Sequence, residues 1–142
     1  MNVSARNVFK GKITALVDGA VNAEVELTLP GGDKIVAIVT EGSVKALGLA
    51  LGKEAIAYVK APWVMVLAGA PDVRFSARNQ LAGTVSALHK GAVNTEVAIA
   101  LPGGTPVFAV VTNEAVLELG LKEGVPASAL IKASSVILGV PA

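Results

Sequence analysis

The chain has 142 residues, 53% of them hydrophobic and 16% charged, which is enough apolar material for a packed core and argues against a disordered chain. Twelve basic residues against eleven acidic ones leave a net charge of +1, a poor basis for the clustered cations that nonspecific nucleic-acid binding requires. There are no cysteines, so disulfides, zinc–thiolate sites and thiol catalysis are excluded.

Aromatic residues are scarce, with one Trp, one Tyr and three Phe, so the core must be built from Val, Leu, Ile and Ala. The longest apolar run, Trp63 to Ala70, is too short to span a bilayer. The segment Met-Asn-Val-Ser-Ala-Arg-Asn at the start has no signal-peptide core. A soluble, cytoplasmic protein is expected.

The sequence is written twice. Ser4-Ala-Arg-Asn7 recurs as Ser76-Ala-Arg-Asn79, an offset of 72. The same offset carries Gly19-Ala-Val-Asn22 onto Gly91-Ala-Val-Asn94, Leu29-Pro-Gly-Gly32 onto Leu101-Pro-Gly-Gly104, and Lys60-Ala61 onto Lys132-Ala133. Aligning 4–67 with 76–139 without a gap gives about 30 identities in 64 positions. A period this long, present twice, describes two small domains rather than a solenoid. The expected division is 1–67 and 76–142, joined by a linker over 68–75 whose small residues and proline suit a surface connection. Domains of this size bury a limited share of their surface alone, so association with the sister domain or with other subunits is expected.

In chain order, Lys12–Val17 and Ala23–Leu29 read as strands. In the second, Val25, Leu27 and Leu29 alternate with Glu24, Glu26 and Thr28, the period of a half-buried strand. Pro30-Gly31-Gly32-Asp33 breaks it and Lys34–Val39 resumes it, which predicts a hairpin. Thr40 can cap a short helix over Glu41–Leu47, stopped by Gly48. Glu54–Lys60 and Trp63–Leu67 are two more strands, and repeat two follows the same order. The expected fold class is all-β with one short helix per repeat, as two tandem OB-like Greek-key barrels.

Ser-Ala-Arg-Asn supplies a hydroxyl, a guanidinium fork, a carboxamide and backbone amides within four residues, a donor set that matches an oxyanion. The competing reading is a strand start with a surface arginine. Lys60 and Lys132 sit at the ends of apolar strands, either snorkelling or reaching a charged partner. Ser134 adds a donor where repeat one has Pro62. Gly-Ala-Val-Asn is either a plain turn or a nest of backbone N–H groups for an anion. The Pro-Gly-Gly turns lack the Lys-Ser/Thr of a phosphate loop. His89 stands alone, opposite Val17 of repeat one, and reads as an exposed loop residue. Glu24 and Glu96 recur but have no evident acid–base partner. No catalytic acid, base or nucleophile stands out, so an enzyme is not expected, and no metal-ligand cluster is expected either.

Taken together these motifs resemble those of the molbindins, in their free-standing form with two tandem domains. The resemblance covers nearly the whole chain in both copies. It implies a protein that binds and stores molybdate, with tungstate as a near-isosteric ligand. It further implies a homotrimer with anions at subunit and domain interfaces, no organic cofactor, and no nucleic-acid or membrane partner. One kind of site would use Ser4, Arg6, Asn7, Thr40, Ser43, Lys60 and Ala61, with Ser76, Arg78, Asn79, Thr112, Lys132, Ala133 and Ser134 in the second copy. Ala115 replaces Ser43 there and removes a hydroxyl. The other kind would use Ala20, Val21 and Asn22, and Ala92, Val93 and Asn94. A molybdate sensor acting through a partner protein uses the same sites. A single-stranded nucleic-acid binder of the OB type would need stacking aromatics on a basic face.

Overall fold

The computed structural model describes residues 3–69 and 72–142; Ala70 and Pro71, in the expected linker, lie outside the described residues. Repeat one runs β1 (Asn7–Asp18), β2 (Asn22–Thr28), β3 (Lys34–Thr40), α1 (Glu41–Leu47), β4 (Glu54–Val59), a 3-10 turn (Ala61–Trp63) and β5 (Met65–Ala68). Repeat two runs β6 (Asn79–Lys90), β7 (Asn94–Ala100), β8 (Pro106–Thr112), α2 (Asn113–Leu119), β9 (Pro126–Ile131), a 3-10 turn (Ala133–Ser135) and β10 (Ile137–Gly139). The strands form two curled five-stranded sheets, ordered β10-β4-β1-β2-β3 and β5-β9-β6-β7-β8. Each sheet curls into an OB-like barrel.

Strand β1 is longer than its apolar pattern suggests, because it serves two partners. Its first half, from Asn7 to Lys12, pairs with β4, and its second half pairs with β2. A bulge lies between Ile13 and Ala15, and its repeat-two counterpart lies between Val85 and Ala87. Such bulges bend a strand and let one sheet curl on itself. The alternation read in β2 holds: Ala23, Val25 and Leu27 are buried and Glu24, Glu26 and Thr28 are not. Together with Ile13, Ile35, Val59 and their counterparts, Val25 and Leu27 build one continuous, mainly aliphatic core through both halves. Thr40 caps α1 by accepting from the Ser43 N–H at 3.0 Å, and Gly48 ends it with a φ of 64°. Thr112 and Gly120 do the same for α2. His89 proves to lie in β6 rather than in a loop, although it is exposed as expected.

The halves are interlocked in a way the sequence does not announce. The last strand of each repeat joins the other repeat's sheet: β10 pairs with β4, and β5 with β9. Contacts between the halves also come as exchanged pairs. Asn7 donates to the Phe108 carbonyl at 2.8 Å and accepts from the Phe108 N–H at 2.7 Å. Asn79 makes the same two bonds to Val36, at 2.7 and 2.8 Å. Residue 108 is the counterpart of residue 36, so each bond pair maps onto the other under exchange of the repeats. That relation is the signature of a twofold axis, here internal to one chain. The Pro-Gly-Gly turns meet each other as well. A methyl group on Gly31 would overlap the Gly103 carbonyl, and one on Gly103 would overlap the Gly31 carbonyl. Only glycine permits that approach.

Asn7 and Asn79 are 1% and 2% exposed. Truncating either strands a backbone N–H and a carbonyl in the interior, at about 1–3 kcal/mol for each group left unpaired. Asn79→Ala is therefore expected to lower the melting temperature by several degrees more than the exposed Gln80→Ala, measured by calorimetry.

Candidate functional site

The repeated motifs occupy three kinds of place. The Ser-Ala-Arg-Asn segments lead into β1 and β6. Buried Asn7 and Asn79 anchor those entries, and the preceding arginines stay at the surface. The Lys-Ala pairs end β4 and β9: Lys60 and Lys132 are exposed at the start of the 3-10 turns, and Ala61 and Ala133 are buried beneath them. Each 3-10 turn packs against a strand of the opposite half, β3 or β8, which brings the motifs together beside the contact between the halves.

A cleft of about 370 Å³ gathers Ser76, Arg78, Lys132, Ala133 and Ser134, with Ser135, Trp63, Met65 and Phe75 on its walls. No carboxylate is among its lining residues. The counterpart cleft, about 290 Å³, gathers Ser4 and Lys60 with Tyr58, Trp63 and Ile137. Arg6 is not on its wall. Trp63 and Pro62 stand where repeat two has Ser135 and Ser134, so the first cleft is more apolar than the second. Trp63 lines both clefts, a position with no repeated counterpart to signal it in the sequence.

Each arginine is held by a glutamate of the other repeat. Arg6 donates through Nε and Nη2 to the Glu96 carboxylate, at 3.2 and 3.3 Å, and its guanidinium lies 3.5 Å above the Phe108 ring. Arg78 donates through Nε to Glu24 at 3.4 Å and through Nη2 to the other oxygen. The Glu24 carboxylate raises the Arg78 pKa above the ordinary arginine value. The recurring glutamates thus have partners, though cationic ones supplied across the repeat. That pairing is invisible in a sequence whose partners are 54 and 90 residues apart.

Two placements within the single chain bear on the expected oxyanion donors. Asn7 and Asn79 do not offer free carboxamides, since both are buried and bonded to the opposite backbone. Thr40, Ser43 and Thr112 do not line either cleft within one chain. Thr40 Oγ1 donates to Ser43 Oγ at 2.9 Å, and Thr40 and Thr112 both accept from the first turn of their helices.

Ala20, Val21 and Asn22, and Ala92, Val93 and Asn94, form exposed turns beside the helix starts. Glu41 N–H donates to the Val21 carbonyl and Asn113 N–H to the Val93 carbonyl, each at 2.9 Å. The two turns differ in charge. Asn113 donates to the Gly91 carbonyl at 3.0 Å and accepts from Thr95 at 2.6 Å. Glu41 takes its place in repeat one, next to Asp18 where repeat two has Lys90. Lost solvation and the hydrogen bond and charge of Asp18 raise the Glu41 pKa above the usual carboxylate range. Among the described residues no group of three or more His, Cys, Asp or Glu could hold a metal ion, and no helix is long and apolar enough to cross a membrane.

The model of the TOBE domain matches residues 3–66 and again 76–138. The chain is 46% identical over 141 residues to the molybdenum-pterin-binding protein MopA of Rhodobacter capsulatus, covering 99% of this chain and 53% of that protein. It is 47% identical to the molybdenum transport protein ModE of Azotobacter vinelandii, covering 99% and 52%. It is 37% identical to the DNA-binding transcriptional dual regulator ModE of Escherichia coli K12, covering 97% and 52%. The chain thus spans about half the length of these curated relatives. Among solved structures, the cytoplasmic molybdate-binding protein ModG with molybdate bound superposes with a TM-score of 0.94 at 60% identity, covering 99% of this chain and 100% of that one. The chain belongs to the TOBE-domain family, in the tandem, molbindin form that carries the domain twice.

Proposed function

We propose that this protein binds molybdate as the intact tetrahedral oxyanion and serves to store or buffer it in the cytoplasm, without catalysing a reaction. The observation that carries this reading is the cleft lined from both repeats, where Arg78, Lys132, Ser76 and Ser134 meet with no carboxylate on the wall. Molybdate at neutral pH is a fully deprotonated dianion that accepts hydrogen bonds on every side and donates none. Guanidinium, ammonium and hydroxyl groups are the complement of that ligand. Tungstate has the same charge and nearly the same size, and is expected to bind as well. The description of ModG as a molybdate-binding protein, with molybdate bound in its structure, supports the reading.

We further infer that complete sites are assembled between chains. Thr40, Ser43 and Thr112 belong to the ligand set that the resemblance implies, yet within one chain they stand apart from the clefts. Another subunit can bring them in. Val3, Trp63, Met65 and Ile137 form exposed apolar surface around the clefts, and Val21 and Val93 are about 70% exposed at the turn tips. Exposed apolar groups gathered around a polar site mark a contact surface. The resemblance implies three chains. Light scattering at micromolar concentration is expected to give a closed oligomer with a mass near three subunits, and a stable monomer would overturn the shared-site reading.

Selectivity provides the direct test. Molybdate and tungstate are expected to raise the melting temperature by mass action on the folded state. Phosphate at the same concentration should do little. Near neutral pH it still carries a proton, which would face donors and leave buried polar groups unpaired. An equal thermal shift with phosphate would overturn the donor-only argument.

Arg78 is expected to contribute most at the second cleft. Its side chain is 52% exposed in the single chain, so its loss should cost less than that of a fully desolvated charge. Arg78→Ala should weaken molybdate binding roughly 30-fold by isothermal titration. Arg78→Lys should recover part of this, since a point charge cannot reproduce the fork.

A further inference from the structure

We propose that Glu24 is a positioning residue for anion binding: it holds the Arg78 fork of the opposite repeat by one edge and leaves the other edge to face the oxyanion. The inference rests on the reading of Arg78 as an anion-binding group and adds to it a residue outside the cleft. In both pairs the carboxylate engages Nε and Nη2. These are the side-on donors of a guanidinium. One Nη1 hydrogen and the remaining Nη2 hydrogen form the free end-on edge, which is itself a bidentate site for two oxygens of a tetrahedral anion. Arg78 lines the cleft beside Ser76 and Lys132 while Glu24, on β2, does not. The carboxylate therefore approaches from behind and the anion from in front.

The backbone supports the same division. Asn79 is locked to Val36 of β3, so the residue before it starts from a fixed point. Glu24 lies on the solvent side of β2, opposite Ile38 in the β2–β3 register. An arginine on a flexible stem would lose much rotamer freedom on gripping an anion. A clamp that fixes the guanidinium beforehand removes part of that cost. In the first repeat the Phe108 ring beneath Arg6 adds a second restraint on the plane of the fork.

The sign of the effect distinguishes this role from simple competition. Glu24 is a negative charge near a site for a dianion, so by charge alone its removal would tighten binding. If it positions the fork, its removal weakens binding. Outer groups that orient a binding residue typically contribute 10–100-fold, and a half-exposed pair belongs at the low end, roughly tenfold.

Isothermal titration of sodium molybdate into the intact oligomer of Glu24→Ala, Glu24→Gln, Arg78→Ala and the Arg78→Ala/Glu24→Ala double variant tests it. Glu24→Ala is expected to weaken the Arg78-dependent sites roughly tenfold, with faster release in stopped-flow measurements. Glu24→Gln, which keeps one accepting oxygen, should fall between it and the native protein. In the Arg78→Ala background the Glu24 change should have no further effect. Melting temperatures should barely move, because exposed ion pairs add little stability. Tighter binding by Glu24→Ala alongside weaker binding by Arg78→Ala would overturn the clamp and leave the anion-binding reading standing. Native binding by Arg78→Ala would overturn both.

Discussion

Two asparagine side chains do the work of a missing strand. Asn7 and Asn79 each offer one donor and one acceptor in the spacing of a peptide group, and each meets the N–H and carbonyl of a strand in the opposite half. An interior bond of this kind is worth little net when formed and much when broken, since the stranded backbone groups cannot reach water. The register between the halves is thereby fixed with little tolerance. Everything near the internal twofold inherits that register: the 3-10 turns, the lysines at their starts, the arginines one residue before the asparagines, and the crossed strands β5 and β10.

This explains how surface residues can be well placed. Arg6 and Arg78 are half-exposed, and long exposed side chains ordinarily wander. Here each directly precedes a buried anchor, and its guanidinium is met by a carboxylate from the other repeat. The duplicated motif therefore has a division of labour. Its asparagine holds the architecture and its arginine faces outward, with the serine two positions earlier on the wall of the cleft.

Much of the fold was legible in the sequence because its signals are local. The alternation of Val25, Leu27 and Leu29, the Pro-Gly-Gly breaks, and Thr40 and Gly48 at the ends of α1 each depend on a few neighbouring residues. The convergence of Ser76, Arg78 and Lys132 followed from the recurrence of their motifs together with the family resemblance. What stayed hidden is relational. Asn7 and Asn79 look like donors for a ligand until their partners at residues 108 and 36 are seen. Glu24 and Glu96 look unpartnered because their arginines lie far away in sequence. The exchange of β5 and β10 leaves no trace in composition, since an apolar strand reads the same whichever sheet it joins. The inequality of the halves, by contrast, could be read directly: Pro62 and Trp63 against Ser134 and Ser135, and Asp18 and Glu41 against Lys90 and Asn113.

The crossed strands bear on how the protein is made. The edge of β4 is covered by β10, at Ile137–Gly139. During synthesis the first repeat emerges with that edge bare, and it stays so until some eighty residues later the covering strand arrives. A bare edge is a template for pairing with another chain, and contacts so distant in sequence form slowly. On a ribosome, then, the first half waits as a nearly complete barrel with one open seam. The same seam on a neighbouring nascent chain would accept the same strand. A protein built this way is poised between closing on itself and trading strands with a sister, and the length of the connection through residues 68–75 sets how strongly the first outcome prevails.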